Sequence, residues 1–289
     1  MSRPLRWFGY AAGAIVVIGV VAVAVIWVLS ERLIHRKWDV AVEPITVPSD
    51  SASLARGQHM ISILGCSGCH GKNLEGTAFF DEPNVARLVA PSLTAAAKRY
   101  SADSLALVIR DGVNSEGRGV LAMPSSAFYN LSATDIGAII AALRAMPPAV
   151  SDTTLPPNAY RLLGRFGLVV GQFSSEPARI DRGRPRVGDE GDTTRLVRGR
   201  YLAMTSCGEC HGPEVQGDVG TPSLAGAYGY SLDEFVRLAR TSTPREPRTL
   251  TLMASVASDR LSRMTDDELS DLHMYLQSVP ATPPSSTDR

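Results

Sequence analysis

The heptapeptide GCSGCHG, from Gly65 to Gly71, returns almost unchanged as SCGECHG, from Ser206 to Gly212. All four cysteines of the 289-residue chain stand in these two C-x-x-C pairs, and a histidine directly follows each pair. Each motif brings two thiols and one imidazole within a few residues, so each is sufficient for a site of its own. The two copies therefore indicate two equivalent sites.

The motifs belong to a longer repeat. RGQHMISILGCSGCHGKNLEG (56–76) is echoed by RGRYLAMTSCGECHGPEVQG (198–217). Further along, YSADSLALVIRDG from Tyr100 parallels YSLDEFVRLARTS from Tyr230. A period of roughly 90 to 100 residues is too long for a solenoid unit and indicates a duplicated domain.

Both copies carry helix signals. Ser132 and Thr265 open capping-box-like patterns, and apolar residues then recur at i, i+3, i+4 and i+7. Gly57 and Gly199 recur in the helices before the cysteines. Because a glycine in a helix costs about 1 kcal/mol relative to alanine, its recurrence predicts a close helix–helix approach. No segment alternates with period two over the length of a strand, and the sequence therefore predicts an all-α fold.

The N-terminal stretch from Phe8 to Leu29 carries no charge. At 1.5 Å per residue it spans roughly 33 Å, about the thickness of a bilayer's hydrocarbon core. Tryptophans near both of its ends favour the membrane interface. A cleaved signal peptide is the alternative, with Ala22-Val-Ala24 as the cleavage site. Because the apolar run continues beyond that site to Leu29, we expect an uncleaved transmembrane anchor.

The charge balance excludes one class of partner and leaves the orientation open. The 29 basic and 29 acidic residues cancel, so there is no overall field to attract nucleic acid, and none is expected as a partner. Basic residues lie on both sides of the apolar stretch, so the positive-inside rule does not settle which end faces the cytoplasm.

Several chemistries use paired cysteines, but only one accounts for every residue of these motifs. Zinc ribbons space their pairs by about 15 to 20 residues, far less than the distance from Cys69 to Cys207. A thioredoxin-type pair requires a βαβ context, and disulfides give no role to the histidines. Covalent attachment of haem c uses two thiols and the following histidine. The motifs predict two covalently attached haem c groups, held by Cys66, Cys69 and His70 and by Cys207, Cys210 and His211.

With these motifs, each copy resembles a class I cytochrome c domain, over roughly residues 53–147 and 195–280. The layout is similar to the membrane-anchored dihaem cytochromes c of bacterial respiratory chains. The resemblance implies an N-terminal transmembrane helix followed by two tandem class I cytochrome c domains. The expected segments are an anchor at 1–36, domain 1 at 50–148, a linker at 149–192 in which LLGRFGLVVGQF docks, domain 2 at 193–281 and a flexible tail at 282–289.

The resemblance also implies a methionine as the second axial ligand of each iron. Class I cytochromes supply it from a loop before the last helix, and the thioether raises the potential relative to a second histidine. In the first copy Met123, which precedes a proline, is the expected ligand. Met60 and Met146 are its rivals, and we expect both to be packing residues.

In the second copy, Met253 and Met264 both precede the closing helix. The offset that relates Tyr100 to Tyr230 also relates Met123 to Met253, so we expect Met253 to be the ligand, although no proline follows it. Met264 aligns with an apolar residue just before the helix cap, where a hydrophobic staple is the simpler role.

Other residues, including prolines and arginines that match between the two copies, are expected to support the sites or the packing. By resemblance, the carbonyl groups of Pro91 and Pro222 orient the proximal histidines. Arg110 and Arg240 either pair with haem propionates or lie in solvent. The remaining histidines are expected to be packing or surface residues, namely His35, His59 and His273.

Two six-coordinate irons leave no open position for a substrate, so we expect an electron carrier and not an enzyme. Its donor would be a dehydrogenase or a quinol-oxidising complex, and its acceptor an oxidase, a reaction centre or a soluble cytochrome. The family attaches haem outside the cytoplasm, which implies a single-pass protein of the cytoplasmic membrane with both haem domains on the periplasmic side. Two alternatives remain: a dihaem peroxidase-like enzyme, and a fixed electron-transfer subunit of an oxidase or dehydrogenase complex.

Overall fold

The structure, a computed structural model, describes residues 3–149, 154–191, 193–218, 220–245 and 252–280. It begins with helix α1, Arg3–Ile34. The side chains of residues 6–25 are exposed, and α1 is the one helix in the described ranges that is long and apolar enough to cross a bilayer. By length and composition, such an N-terminal helix is a membrane anchor or a signal sequence. The predicted tail at 282–289 lies outside the described residues.

Module one, residues 50–148, is mostly helical. They are α2 (Ser51–Ile63), α3 (Cys66–His70), α4 (Leu93–Arg99), α5 (Ala102–Asp111), α6 (Ser125–Phe128) and α7 (Ala133–Ala145). The Ser132 hydroxyl accepts from the Asp135 N–H at 3.0 Å and begins α7 at the predicted cap. Helix α2 crosses α7 at Gly57, where a Cβ would lie 2.0 Å from the Ala138 carbonyl oxygen. The glycine is therefore required for the approach.

A small antiparallel sheet shows that the all-α prediction is wrong in one region. It joins β1 (Thr77–Glu82), β2 (Ala86–Ala90) and β3 (Ala159–Tyr160) in that order. Alternation is hidden in the sequence because the register of β1 shifts between Ala78 and Phe80. The third strand comes from the linker, so no local window contains the whole sheet. The described chain is otherwise mostly helical.

The described part of the linker packs along module one. It contains helices α8 (Leu162–Val169) and α9 (Glu176–Arg179) and a 3-10 turn at Val187–Asp189. Helix α8, formed by the segment LLGRFGLVVGQF, packs against the C-terminal end of α1. It also approaches the turn after β1, where a Cβ at Gly164 would lie 2.2 Å from the Val85 carbonyl oxygen. Glu176 of α9 is buried and accepts from the Ser126 N–H at 2.8 Å.

Module two, residues 193–281, repeats the plan of module one. Its helices are α10 (Arg195–Leu202), α11 (Gly208–His211), α12 (Leu232–Thr241), α13 (Leu252–Asp259) and α14 (Asp266–Ser278). A π-helical turn, Ala203–Cys207, joins α10 to α11, and 3-10 turns lie at Pro213–Val215, Leu224–Gly229 and Leu261–Arg263. The predicted capping box of Thr265 and Glu268 begins α14. Helix α10 crosses α14 at Gly199, where a Cβ would lie 2.0 Å from the Asp271 carbonyl oxygen.

The two modules meet through equivalent surfaces. Tyr201 on α10 donates its hydroxyl to Asp135 at the start of α7, at 2.5 Å. His59 on α2 contacts Glu268 at the start of α14, at 2.8 Å. Tyr201 and His59 each follow the crossing glycine of their helix by two residues, and the two carboxylates each follow a helix cap by three. The interface therefore has approximate two-fold symmetry, in which each leading helix touches the other module's closing helix.

The core continues across this interface. Buried apolar residues of both modules form one cluster, to which Leu131 and Met264, equivalent in the repeat, contribute side chains that are 0% and 1% exposed. His59, which the sequence assigned to packing or to the surface, lies in the interface between the modules.

Candidate functional site

The first cysteine motif forms one turn of helix. Helix α3 begins after Gly65, whose φ of 72° lies in the left-handed region and reverses the chain at the end of α2. Cys66, Cys69 and His70 stand at positions i, i+3 and i+4, which share one face of a helix. The spacing of the motif thus directs both thiols and the imidazole to the same side.

A backbone carbonyl fixes each histidine, as expected from the resemblance. His70 Nδ1 lies 2.7 Å from the Pro91 carbonyl oxygen, and His211 Nδ1 lies 2.7 Å from that of Pro222. Because a carbonyl only accepts, Nδ1 carries the proton and Nε2 keeps its lone pair for a metal. Burial lowers the pKa of His70, although the Pro91 carbonyl opposes this, so the ring stays neutral over a wider pH range.

A cavity of about 950 Å³ adjoins the first motif. Cys66, Cys69 and His70 lie in its wall, together with Met123 and many apolar side chains. This volume is at the upper end of the range for small-molecule and cofactor pockets, about 300 to 1,000 Å³. Two thiols and an imidazole on one side, a thioether in the same wall and an apolar lining are the groups that a covalently bound haem requires. The residues of this site fit the cofactor.

The methionines of module one differ in their surroundings. Met123 is partly buried and lines the cavity. Met60 is 0% exposed inside the core, and Met146 follows α7 at the edge of the core. Met123 therefore shares the cavity wall with the first cysteine motif, and its assignment as the distal ligand stays a prediction.

The second motif also forms a helical turn, but the segment that leads into it differs from that of the first motif. The π-helical turn Ala203–Cys207 carries Cys207, and α11 carries Cys210 and His211. Met253 lies on α13, partly buried against the core, whereas Met264 is 1% exposed within it. The Met253 assignment also stays a prediction.

The thiols lie in surroundings that disfavour thiolates. Burial raises the pKa of the Cys66 thiol to about 11 and that of the Cys207 thiol to about 12. Redox-active and metal-binding cysteines instead have lowered pKa values. In the described ranges, no three His, Cys, Asp or Glu side chains converge as a metal site would require, so the four cysteines do not form one shared tetrahedral site.

An ion pair lies between the two motifs. Arg260, which follows α13, donates to Glu209 at 2.8 Å, and both side chains are largely buried. The Arg260 guanidinium packs on Gly65, where a Cβ would lie 2.1 Å from its Nε, and its charge acts on cysteines of both motifs. Arg260 and Glu209 also line the cavity of module one. The two cysteine motifs therefore approach each other at this pair.

Sequence reasoning did not find Arg260 and Glu209. The available signal was a difference between the copies: Glu209 replaces Gly68 inside the C-x-x-C motif, and Arg260 replaces Ala127 at the equivalent position before the closing helix. A charge of each sign appears only in the second copy, and the two lie together in the fold.

The repeated arginines have a structural role that the sequence did not predict. Arg110 donates to Glu43 at 2.8 Å and to the Leu131 carbonyl at 3.1 Å. Arg240 donates to the Ser262 carbonyl at 2.5 Å and to Asp266 at 2.7 Å. Arg110 thereby joins α5 to the segment before α7, and Arg240 joins α12 to the segment before α14. His273 similarly bonds the Tyr230 carbonyl at 2.8 Å, which is a packing role.

Comparison with known proteins identifies part of the chain. A family model described as cytochrome c matches residues 196–280, a range that contains the second C-x-x-C-H motif. The fructose dehydrogenase cytochrome subunit of Gluconobacter japonicus is 25% identical over 273 residues, which cover 83% of this chain and 55% of that protein. The alcohol dehydrogenase (quinone) cytochrome c subunit of Gluconobacter oxydans (strain 621H) is 24% identical over 279 residues, which cover 81% and 56%.

The chain thus spans about half the length of these curated relatives. It contains a cytochrome c domain at residues 196–280, and this domain supports covalently bound haem c. Both of these distant relatives are named as cytochrome subunits of dehydrogenases.

Proposed function

We propose that this protein is a membrane-tethered dihaem cytochrome c subunit that accepts single electrons from a dehydrogenase and passes them to an acceptor at the membrane. The observation that carries the proposal is the equivalence of the two C-x-x-C-H motifs. In both, a proline carbonyl lies 2.7 Å from Nδ1 of the histidine and leaves Nε2 available.

Each module supplies one complete set of holding groups in this proposal. The sets are Cys66, Cys69, His70 and Met123 in module one and Cys207, Cys210, His211 and Met253 in module two. When bound, haem c supplies a one-electron Fe(III)/Fe(II) couple. The four cysteines would hold it, the two imidazoles would orient it, and the apolar wall of the cavity in module one would exclude water from it.

The approach of the two motifs favours electron transfer between the sites. Arg260 and Glu209 lie between the motifs and hold the cysteine turns of both modules together. This arrangement would bring the two sites close to each other at the interface. The contacts of Tyr201 and His59 join the two modules and would hold the sites near each other.

The partner and the location follow from the relatives and from α1. Both relatives are named as cytochrome subunits of dehydrogenases, so a dehydrogenase is the proposed donor. Helix α1 is the proposed single-pass anchor, with both modules on the periplasmic side. Between the two roles expected from the sequence, the similarities favour the fixed subunit of a dehydrogenase over the free carrier.

Counting covalent haem in defined variants tests the proposal. The wild-type protein should retain two haems in denaturing electrophoresis with haem staining and in intact mass. The double variants Cys66→Ala/Cys69→Ala and Cys207→Ala/Cys210→Ala should each retain one, whereas the control Met60→Leu should retain both. A single haem in the wild type, or none, overturns the dihaem proposal. Purification in mild detergent without any dehydrogenase would overturn the subunit role alone.

A further inference from the structure

Helix α8 presents a stripe of large apolar side chains to its surroundings. The side chains are 45% to 57% exposed: Leu162, Leu163 and Phe166 lie on α8, and Val170 and Phe173 follow its end. Leu162, Leu163 and Phe166 stand at i, i+1 and i+4 and therefore share one side of the helix. Scattered apolar residues on a surface need no explanation, but a contiguous apolar patch marks a contact with another surface.

The opposite face of α8 is fixed to α1. Arg165 is buried, donates to Ser30 Oγ at 2.9 Å and to Glu31 Oε2 at 2.8 Å, and lies 3.8 Å from the centre of the Trp27 ring. Its Nε donates to the Tyr160 carbonyl at 3.0 Å. These contacts prevent α8 from turning its apolar stripe inwards.

The contacts of Arg165 also set the height of α8 along α1. Trp27 marks the end of the apolar stretch, and the first charges after it are Glu31 and Arg32. Tryptophan and charged residues at the end of an apolar helix mark the boundary between hydrocarbon and headgroups. Because Arg165 binds residues 27–31 of α1, α8 lies at this boundary.

We infer that α8 is an interfacial membrane helix whose apolar stripe contacts the acyl chains next to α1. The inference rests on the proposed anchor. The stripe lies beside the exposed apolar surface of α1, because α8 packs on the end of that helix. Large apolar side chains on one face of a helix are what an interfacial helix presents to lipid. A protein partner on this stripe would have to share its contact with the lipid-facing side of α1.

The contact places module one against the bilayer. Its cavity is bounded not only by the cysteine motif but also by Glu31 and Ile34 of α1, by His35 just after it, by Tyr160, and by Arg165 of α8. The first site therefore lies on the membrane-proximal side of module one.

Photolabelling from within the bilayer tests this inference on the full-length holoprotein. The protein is reconstituted into phosphatidylcholine vesicles that contain a lipid with a diazirine on its acyl chain, and labelled peptides are mapped by mass spectrometry. We expect label in α1 and in the peptide that contains residues 162–173, and none around the exposed Leu196 of α10, which is the control. In the variant Leu163→Glu/Phe166→Glu, label in 162–173 should fall to the level of the Leu196 peptide, while α1 stays labelled.

The outcomes separate this inference from the proposed function. Label in α1 without label in 162–173 overturns the interfacial helix and leaves the anchor intact. Absence of label in both, or a mature protein that lacks α1, overturns the anchor. Protection of 162–173 only in complexes purified with a dehydrogenase would assign the stripe to a protein partner and overturn the lipid contact.

Discussion

Met264 is 1% exposed and packs inside the core, whereas Met253 lies on α13 with its side chain only partly covered. The repeat offset assigns Met253 as the ligand and Met264 to packing, and the deeper burial of Met264 is consistent with that packing role. Met264, enclosed by core side chains, fills space, whereas the partly buried Met253 remains the predicted ligand. The two residues can therefore be separated by substitution.

Met253→His should change one haem and leave the other unaffected. Imidazole stabilises ferric iron better than a thioether does, so one potential should fall, and about half of the near-infrared band of methionine–Fe(III) ligation should be lost. Met264→Leu is the matched control and should cost less than about 1.5 kcal/mol of stability without a spectral change. Spectra and a redox titration measure both. If Met264→Leu changed the spectrum and the potential while Met253→His changed neither, the assignment would be reversed.

The helix crossings of the two modules each depend on one glycine. At Gly57 and Gly199 a Cβ would lie 2.0 Å from a backbone oxygen of the closing helix, an atom that cannot move aside without moving α7 or α14. Gly57→Ala or Gly199→Ala should therefore lower the free energy of unfolding by about 1 to 3 kcal/mol or more. Denaturant unfolding measures this. Gly191→Ala is the control, since nothing lies within 4 Å of a Cβ there. Equal stabilities of all three variants would contradict the close approach.

The elements that could be predicted are those whose cause is local. The cap of α7 at Ser132 and the capping box of α14 at Thr265 involve residues three apart, so a short window contains the whole interaction. The same holds for C-x-x-C-H, whose spacing alone places three side chains on one face. These features could be placed from the sequence because their partners are close along the chain.

The features that were missed join distant residues. The third strand of the sheet comes from the linker. Arg260 binds Glu209 across a separation of 51 positions in the sequence, and His59 contacts Glu268 across a separation of 209 positions. No periodicity or spacing in one segment records such pairs. The sheet, the interface and the ion pair between the motifs required the fold.

Across the whole molecule, Asp135 links the modules through charge. Burial opposes ionisation of this carboxyl, but the hydrogen bonds and charge of Arg56 and the hydroxyl of Tyr201 outweigh it, so its pKa lies below the ordinary value of 3.8. A lowered folded-state pKa means that the ionised group stabilises the fold above pH 3.8, and that this contribution is lost as the pH falls through the folded value.

Asp135→Asn should therefore be destabilising at pH 7 by about 1.5 to 3 kcal/mol, the range for hydrogen bonds to charged groups. The difference from the wild type should shrink as the pH falls below about 3.8, because the wild-type carboxyl is then losing its charge in the folded state. Denaturant unfolding at several pH values measures the difference. Asp39→Asn, at an exposed position, is the control and should change the stability at pH 7 by less than about 0.5 kcal/mol. A constant difference down to pH 2 would show that Asp135 acts by shape alone.

The approximate two-fold axis between the modules bears on the origin of the duplicated chain and on the direction of electron flow. An interface in which each partner offers the same surface is the arrangement of a homodimer, and its presence within one chain is what the joining of two copies of a gene produces. In a homodimer both subunits are encoded by one gene and are identical, and identical sites give an electron no downhill path. Once joined, each copy is free to diverge, and here the charges of Arg260 and Glu209 entered one copy only. The two halves of this approximately symmetric chain are therefore distinguishable, as a preferred direction of electron flow between them would require.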